Sequence, residues 1–175
     1  MDGIRCKRLH RVNLAVGEWT RLASRPVDLY RRVMKISDVL RNKGTEVITI
    51  RPDDTVSRLL EMLDEHGIGA LVVSTDGSAV DGIVSERDVV RHVGRSGAAV
   101  LDGPVSAIMT SQVFCCEQGD EVEALAQMMT DRRIRHVPVV EGGALRAIVS
   151  IGDVVKHRIN ALTSERDHLV GYLQQ

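Results

Sequence analysis

The stretch Gly82-Ile83-Val84-Ser85-Glu86-Arg87-Asp88-Val89-Val90 returns later in the chain as Ala147-Ile148-Val149-Ser150-Ile151-Gly152-Asp153-Val154-Val155. Each copy is an apolar, strand-like run that ends on a Ser and carries an Asp three residues further on. The match extends well beyond the motif. Val47, Val56, Met62, Ile68 and Val73 correspond to Val113, Val122, Met128, Ile134 and Val139 at an offset of 66 residues, which falls to 65 after the loop containing Gly77. The second copy has therefore lost one residue from its turn. Self-similarity over roughly 60 residues marks one supersecondary unit, duplicated, whose copies bury against each other the faces that neither can close alone.

The first copy opens with a short strand, Val47 to Ile50, followed by the turn and helix-start cluster Pro52-Asp53-Asp54-Thr55. Val56, Leu59, Leu60 and Leu63 recur at helical spacing, and Gly67 ends that helix. Gly69 to Ser74 reads as a buried strand, Asp76-Gly77 as a hairpin turn, Val80 to Ser85 as the returning strand, and a helix from Glu86 closes the unit near Gly94. The second copy repeats this β-α-β-β-α order. It has a strand at Val113 to Cys116, a helix on Val122, Leu125, Ala126 and Met129, strands at Val137 to Val140 and Leu145 to Val149 around the turn Glu141-Gly142-Gly143, and a helix from Ile151. The expected organisation is an N-terminal basic extension (1–33), a first repeat (34–94), a linker (95–104), a second repeat (105–158) and a C-terminal amphipathic helix (159–175). Ile159, Leu162, Leu169, Val170 and Leu173 give that last helix its apolar face, for packing on its own subunit or for a dimer contact.

Composition narrows the function. The chain has 175 residues, 43% of them hydrophobic, and a formal net charge of −1, so it can build an ordinary core and has no global basic field for nucleic acid. Its four aromatics, Trp19, Tyr30, Phe114 and Tyr172, are too scattered for a base-stacking platform. No apolar run reaches the roughly 18 residues of a membrane span, and no secretory signal is visible, which leaves a cytoplasmic address as the expectation. Cys6, Cys115 and Cys116 form no zinc-like spacing; the vicinal pair falls in a strand with side chains on opposite faces, either as small apolar residues or in a redox role. No His pair has metal-ligand spacing.

Residues 1–33 match neither repeat and carry Lys7 and seven Arg against Asp2, Glu18 and Asp28. They read as a basic arm, an Arg-rich transit peptide or a stretch upstream of a start at Met34.

The paired β-α-β-β-α units with Gly82-x-x-Ser85-x-x-Asp88 and Ala147-x-x-Ser150-x-x-Asp153 resemble a tandem cystathionine-β-synthase (CBS) domain pair, the Bateman module, over about residues 34–158. Ser85-Glu86-Arg87-Asp88, Arg133-Ile134-Arg135-His136-Val137-Pro138-Val139 and Ser150-Ile151-Gly152-Asp153 are similar to signatures of small stand-alone bacterial CBS proteins. The resemblance implies an α/β (α+β) fold in which the two repeats pack about a pseudo-twofold. It also implies a non-catalytic sensor that binds an adenosine nucleotide (AMP, ADP, ATP or NAD(H)) in the cleft between the repeats. It implies no catalytic cofactor, no metal, no nucleic acid and no membrane, but a homodimer and an unidentified protein partner. Transferred residue by residue, Asp88 and Asp153 take ribose hydroxyls, and Ser85 and Ser150 lie near phosphate. Gly69-Ala70 and Arg135-His136 flank base or phosphate, and Val47, Thr49, Ile68, Arg87, Val113, Arg133, Ile134, Pro138 and Gly152 complete the ligand-binding set. Ala147 departs from the Gly that usually begins the second motif.

The chemistry of the residues agrees with those roles. A carboxylate only accepts hydrogen bonds, so it can take both protons of a cis-diol, and a Ser at a strand-to-helix corner lies where free N–H groups favour anions. Ser-x-x-Asp is also the pattern of a capping box, and one Ser can serve both ends. The copies differ in charge: the second has Arg132, Arg133, Arg135 and His136 where the first has His66, Gly67, Gly69 and Ala70, and Arg87 stands where the second has Gly152. Arg87 and the 133–136 cluster gathering on one set of phosphates would favour a di- or triphosphate or a dinucleotide; the alternative is a solvated basic corner that binds nothing. Two other functions stay open: an interaction protein with vestigial pockets, and part of an enzyme system related to inosine-5′-monophosphate dehydrogenase. The chain has no dinucleotide-binding glycine motif and is too short for a (β/α)₈ barrel of about 250 residues.

Overall fold

A computed structural model describes residues 6–8, 33–41 and 47–173. Strand β1 (Cys6–Arg8) and helix α1 (Ile36–Leu40) precede two matched units. The first comprises β2 (Thr49–Ile50), α2 (Val56–His66), β3 (Ala70–Val73), β4 (Gly82–Ser85) and α3 (Glu86–Ser96); the second comprises β5 (Val113–Cys115), α4 (Val122–Arg132), β6 (His136–Glu141), β7 (Ala144–Ser150) and α5 (Ile151–Leu173). In the first unit β2 lies parallel to β3, and β3 antiparallel to β4. In the second β6 and β7 form an antiparallel pair, and Cys116 ties the end of β5 alongside β6 by donating to the Pro138 carbonyl and accepting from the Val140 N–H. The outer edge of β5 takes β1 in parallel register, Cys6 opposite Val113. The rest of the predicted N-terminal extension lies outside the described residues up to Val33.

The two helices that carry each core form for the same reasons. On α2 the apolar positions Val56, Leu59 and Leu63 share one buried face, Thr55 Oγ1 caps the start by accepting the Arg58 N–H, and Gly67 ends the helix in the left-handed conformation. On α4 the buried face is Val122, Leu125 and Met129. Burying each such side chain contributes about 1.5–3 kcal/mol.

The segments that precede the repeats are exchanged. Ile36 and Val39 of α1 lie in the core of the second unit, with Val122, Leu125, Met129, Val137 and Val149. Val105 and Ile108, just ahead of the second unit, lie in the core of the first. The main-chain bonds repeat this symmetry. Ile36 and Ser37 donate to the carbonyls of Asp120 and Gln118, while Val105 and Ser106 donate to those of Asp54 and Pro52. The residues expected to open the first repeat therefore close the second, because each helix start has a free N–H, Val122 donating to the Met34 carbonyl and Val56 to that of Gly103, and the loop ahead of it has free carbonyls that the neighbouring segment covers. A third cluster joins the units: Val72 and Val80 pack with Val113 and Cys115, flanked by Ile83, Val140, Leu145 and Ile148.

Two local features differ from the expectation. Asp76-Gly77 is not a tight two-residue turn; residues 74–81 form a longer loop in which Asp76 Oδ1 accepts the Ser78 and Ala79 N–H groups, and Asp81 Oδ2 accepts the N–H and hydroxyl of Thr75. The Leu145 N–H reaches across to the Ser78 carbonyl at 2.8 Å, so this loop is a contact between the units. By contrast, Glu141 and Ala144 pair directly across Gly142 and Gly143, whose φ angles of 59° and 86° require glycine-like freedom. Finally, the closing helix of the second repeat and the C-terminal helix are one uninterrupted element, α5. No helix among the described residues is long and apolar enough to cross a membrane.

Candidate ligand cleft between the repeats

The corner where β4 becomes α3 is built by the repeated motif. Ser85 keeps extended backbone, and Asp88 Oδ2 accepts both its N–H at 2.9 Å and its hydroxyl at 2.6 Å. The matching corner before α5 has the same bonds: Asp153 Oδ2 accepts the Ser150 N–H at 2.8 Å and hydroxyl at 2.7 Å, and the Asp153 N–H donates to Ser150 Oγ at 3.2 Å. Both motifs are thus capping boxes. Capping occupies one carboxylate oxygen. Asp88 Oδ1 has no hydrogen-bond partner among the described residues and remains an acceptor.

The opposite wall comes from the second unit. Helix α4 ends on Arg133 at φ 56°, after which the chain turns into β6 through Ile134 and Arg135. The Arg132 guanidinium lies over the Phe114 ring, 5.1 Å from its centroid. At the floor the two units meet at Gly69: a Cβ there would stand 3.7 Å from the Glu86 carboxyl and 3.7 Å from His136 Cε1.

Between these walls lies a cleft of about 420 Å³, within the range of about 300–1,000 Å³ common for small-molecule sites. Of the residues expected to bind ligand, Gly69, Ala70, Ser85, Arg87, Asp88, Val113, Arg133, Ile134, Arg135 and His136 line it. Arg87 and the 133–136 cluster do face one space. Val47, Thr49, Ile68, Pro138, Ser150, Gly152 and Asp153 do not line it. Ser150, Gly152 and Asp153 belong to the other strand-to-helix corner, Thr49 is in β2, and Pro138 is buried inside β6 with its carbonyl engaged by Cys116. The cleft adds Ile83, Glu86, Arg91, Thr110, Gln112, Phe114 and Arg132. Arg91 was legible as one helical turn beyond Arg87, and Phe114 as the neighbour of Val113. Thr110 and Gln112 had no signal, since they lie in the irregular segment ahead of β5 and reach the cleft only because Thr110 and Ile83 exchange main-chain bonds at 2.9 and 3.0 Å.

The electrostatics are one-sided. Arg87, Arg91, Arg132, Arg133 and Arg135 face two carboxylates, Glu86 and Asp88. Arg51, Arg58 and Arg158 elsewhere each pair with a carboxylate; among the described residues none of the cleft arginines does. Such a space attracts an anion, while Asp88 Oδ1 supplies an acceptor for hydroxyls beside it. No group of three His, Cys, Asp or Glu among the described residues could hold a metal ion. Of the two vicinal cysteines, Cys116 is a free thiol buried in the core of the second unit, the apolar alternative, whereas Cys115 is disulfide-bonded and so is not a plain apolar side chain.

Comparison with known proteins gives one consistent result. The CBS domain profile matches residues 36–95 and 105–160. The mitochondrial CBS domain-containing protein CBSX3 of Arabidopsis thaliana is 35% identical over 147 residues, covering 79% of this chain and 71% of that protein. A CBS-domain protein crystal structure from Agrobacterium tumefaciens is 44% identical with a TM-score of 0.69, covering 71% of this chain and 99% of that one. At 21% identity and a TM-score of 0.65, the fold also matches a CBS domain pair crystallised with 5′-methylthioadenosine and S-adenosyl-L-methionine, covering 74% of this chain and 98% of that one.

Proposed function

From the premise that the chain belongs to the CBS-domain family, as a tandem pair, we propose that it is a non-catalytic regulatory sensor that binds an adenosine nucleotide in the cleft between its repeats. The observation that carries this reading is the meeting, in one space, of the Asp88 carboxylate from the first repeat with the arginine-rich α4–β6 corner of the second. Asp88 Oδ1 accepts the ribose hydroxyls, the strand edges at Ala70 and Val113 flank the base, and the arginines meet phosphate. Charge-assisted bonds of this kind contribute about 1.5–3 kcal/mol each. The adenosine derivatives in the CBS pair of similar fold support an adenosine ligand in general, and the arginines favour AMP, ADP, ATP or NAD(H) over an uncharged one.

The ligand touches both units, so occupancy alters how they sit against each other to the extent that the nucleotide binds one arrangement more tightly than another. A homodimer fits the same reading. Val155, Ile159 and Leu162 on α5 are 49%, 57% and 51% exposed along one helix face, and Val90 of α3, the counterpart of Val155, is 71% exposed. Sedimentation velocity reads this directly, and a monomer at micromolar concentration would remove the dimer from the proposal.

The sensor reading is tested by thermal shift with AMP, ADP, ATP, NAD, NADH and S-adenosylmethionine. A ligand at a hundred times its dissociation constant adds about 2.7 kcal/mol, a rise of roughly 5–10 °C for a chain of this size. Asp88→Ala should abolish the rise. If no member of the panel moves the melting temperature of the wild type, the reading fails.

A further inference from the structure

Resting on the reading of the cleft as a nucleotide site, we propose that Arg133 makes the cleft select its ligand by the phosphate chain, in the order triphosphate, diphosphate, monophosphate, nucleoside, and does so at a cost in stability that the first repeat avoids. Arg133 is the only non-glycine residue with positive φ among the described residues. The first repeat ends its equivalent helix on Gly67, at φ 60° and ψ 37° against 56° and 35° for Arg133. The capping bonds also match: the Ile68 N–H donates to the Leu63 carbonyl at 3.0 Å, and the Ile134 N–H to the Met129 carbonyl at 3.0 Å. The helix ending therefore needs no side chain at this point, and glycine would adopt it without the crowding that a β-carbon brings.

Charge makes the choice more costly still. Arg133 lines one cleft with Arg87, Arg91, Arg132 and Arg135, all exposed so that solvent moderates their repulsion, and among the described residues no carboxylate pairs with any of them. In the first repeat the counterparts of Arg132, Arg133 and Arg135 are His66, Gly67 and Gly69, and in the second the counterpart of Arg87 is Gly152. The cluster exists once, on one side of the pseudo-twofold. Backbone strain and like charge thus converge on a residue that lines a ligand-sized space and that the fold does not require, which is the arrangement expected when a bound anion supplies the missing partner. Five arginines against two carboxylates are matched by several phosphate charges better than by one.

The test is calorimetric titration of ATP, ADP, AMP and adenosine into wild type, Arg133→Gly, Arg133→Gln and Gly67→Arg, with the ligand-free melting temperature of each. Arg133→Gly is expected to weaken ATP binding about tenfold or more while adenosine stays within about twofold, and to melt about 2–4 °C higher. Arg133→Gln keeps the β-carbon and removes only the charge, so it should lose ATP affinity with a smaller rise than Arg133→Gly. Gly67→Arg should melt lower by a similar amount with ATP affinity unchanged, since Gly67 does not line the cleft. The inference is overturned if Arg133→Gly binds ATP as tightly as wild type, or loses ATP and adenosine in equal measure; in either case wild-type binding keeps the nucleotide reading intact. Wild type that binds none of the four overturns the nucleotide reading and this inference together.

Discussion

The Ile36 N–H donates to the Asp120 carbonyl at 3.0 Å, tying the helix that opens the first repeat to the loop entering α4 of the second. The Ile36 side chain is fully buried there, in the cluster of Leu125, Met129 and Val149. Ile36→Ala should therefore cost about 2–5 kcal/mol and loosen the second repeat first. Hydrogen exchange reads the location: amides of β6 and β7 should lose protection before those of β3 and β4. Faster exchange confined to the first repeat would contradict the exchanged arrangement.

The duplication was legible because both copies keep the same apolar spacing and the same Ser-x-x-Asp corner. The exchange of α1 was not, since Ile36 and Val39 show an amphipathic turn whose partner cannot be read from spacing; the Val122 N–H and the loop carbonyls of Gln118 and Asp120, brought together only in the folded corner, select it. The cleft followed the same division. Asp88, Arg87 and the 133–136 cluster came from repeat register and charge, while Thr110 and Gln112 depend on a main-chain pairing with Ile83 that no side-chain pattern announces. The doubled motif supplied two matched carboxylates, and the charges that differ between the copies, expected to gather on one set of phosphates, line one cleft.

The loop that carries Ser78 to Leu145 should be acid-labile. The N–H groups of Ala79 and Ser78 hold the Asp76 carboxyl below its ordinary value of 3.8, against a smaller opposing effect of burial. A folded-state value depressed in this way stabilises the loop above pH 3.8 and ceases to do so as pH falls through the lower, folded value. Amide chemical shifts of Ser78 and Ala79 should move together in that acidic window, and Asp76→Ala should remove the transition. A transition centred above 3.8 would contradict the sign.

Cys116 should be inert in the native state. Burial, reinforced by the charges of Asp120 and Glu117, pushes its thiol up from 9.0 to about 12. Its folded value is raised, so the associated stability is fully present below pH 9.0 and is lost as pH rises toward about 12, where the unfolded chain holds thiolate and the native chain does not. Alkylation near pH 8 should leave the Cys116 peptide unmodified in native protein and label it readily in urea. Equal labelling in both states would show that the strand opens far more freely than its burial implies.

Gly82 and Ala147 occupy the same place in the two motifs, and only the first requires glycine. A Cβ on Gly82 would meet Met109 Sδ at 2.6 Å, Met109 Cγ at 3.2 Å and the Thr110 carbonyl at 3.1 Å. Thr110 is fixed by its paired bonds with Ile83, so the added methyl, held at 3.1 Å from its carbonyl, must push the packed Met109 side chain aside at the edge of the cleft. Gly82→Ala is expected to cost about 1–3 kcal/mol and to weaken nucleotide binding through Thr110. Met109→Ala alone should also destabilise, by removing a side chain packed against the first repeat's core. In Gly82→Ala/Met109→Ala the two costs should fall short of additivity, because the shortened side chain makes room for the methyl. Denaturant unfolding of the four proteins measures that coupling, and strict additivity would place the cost of Gly82→Ala in the main chain at Thr110 instead of in Met109.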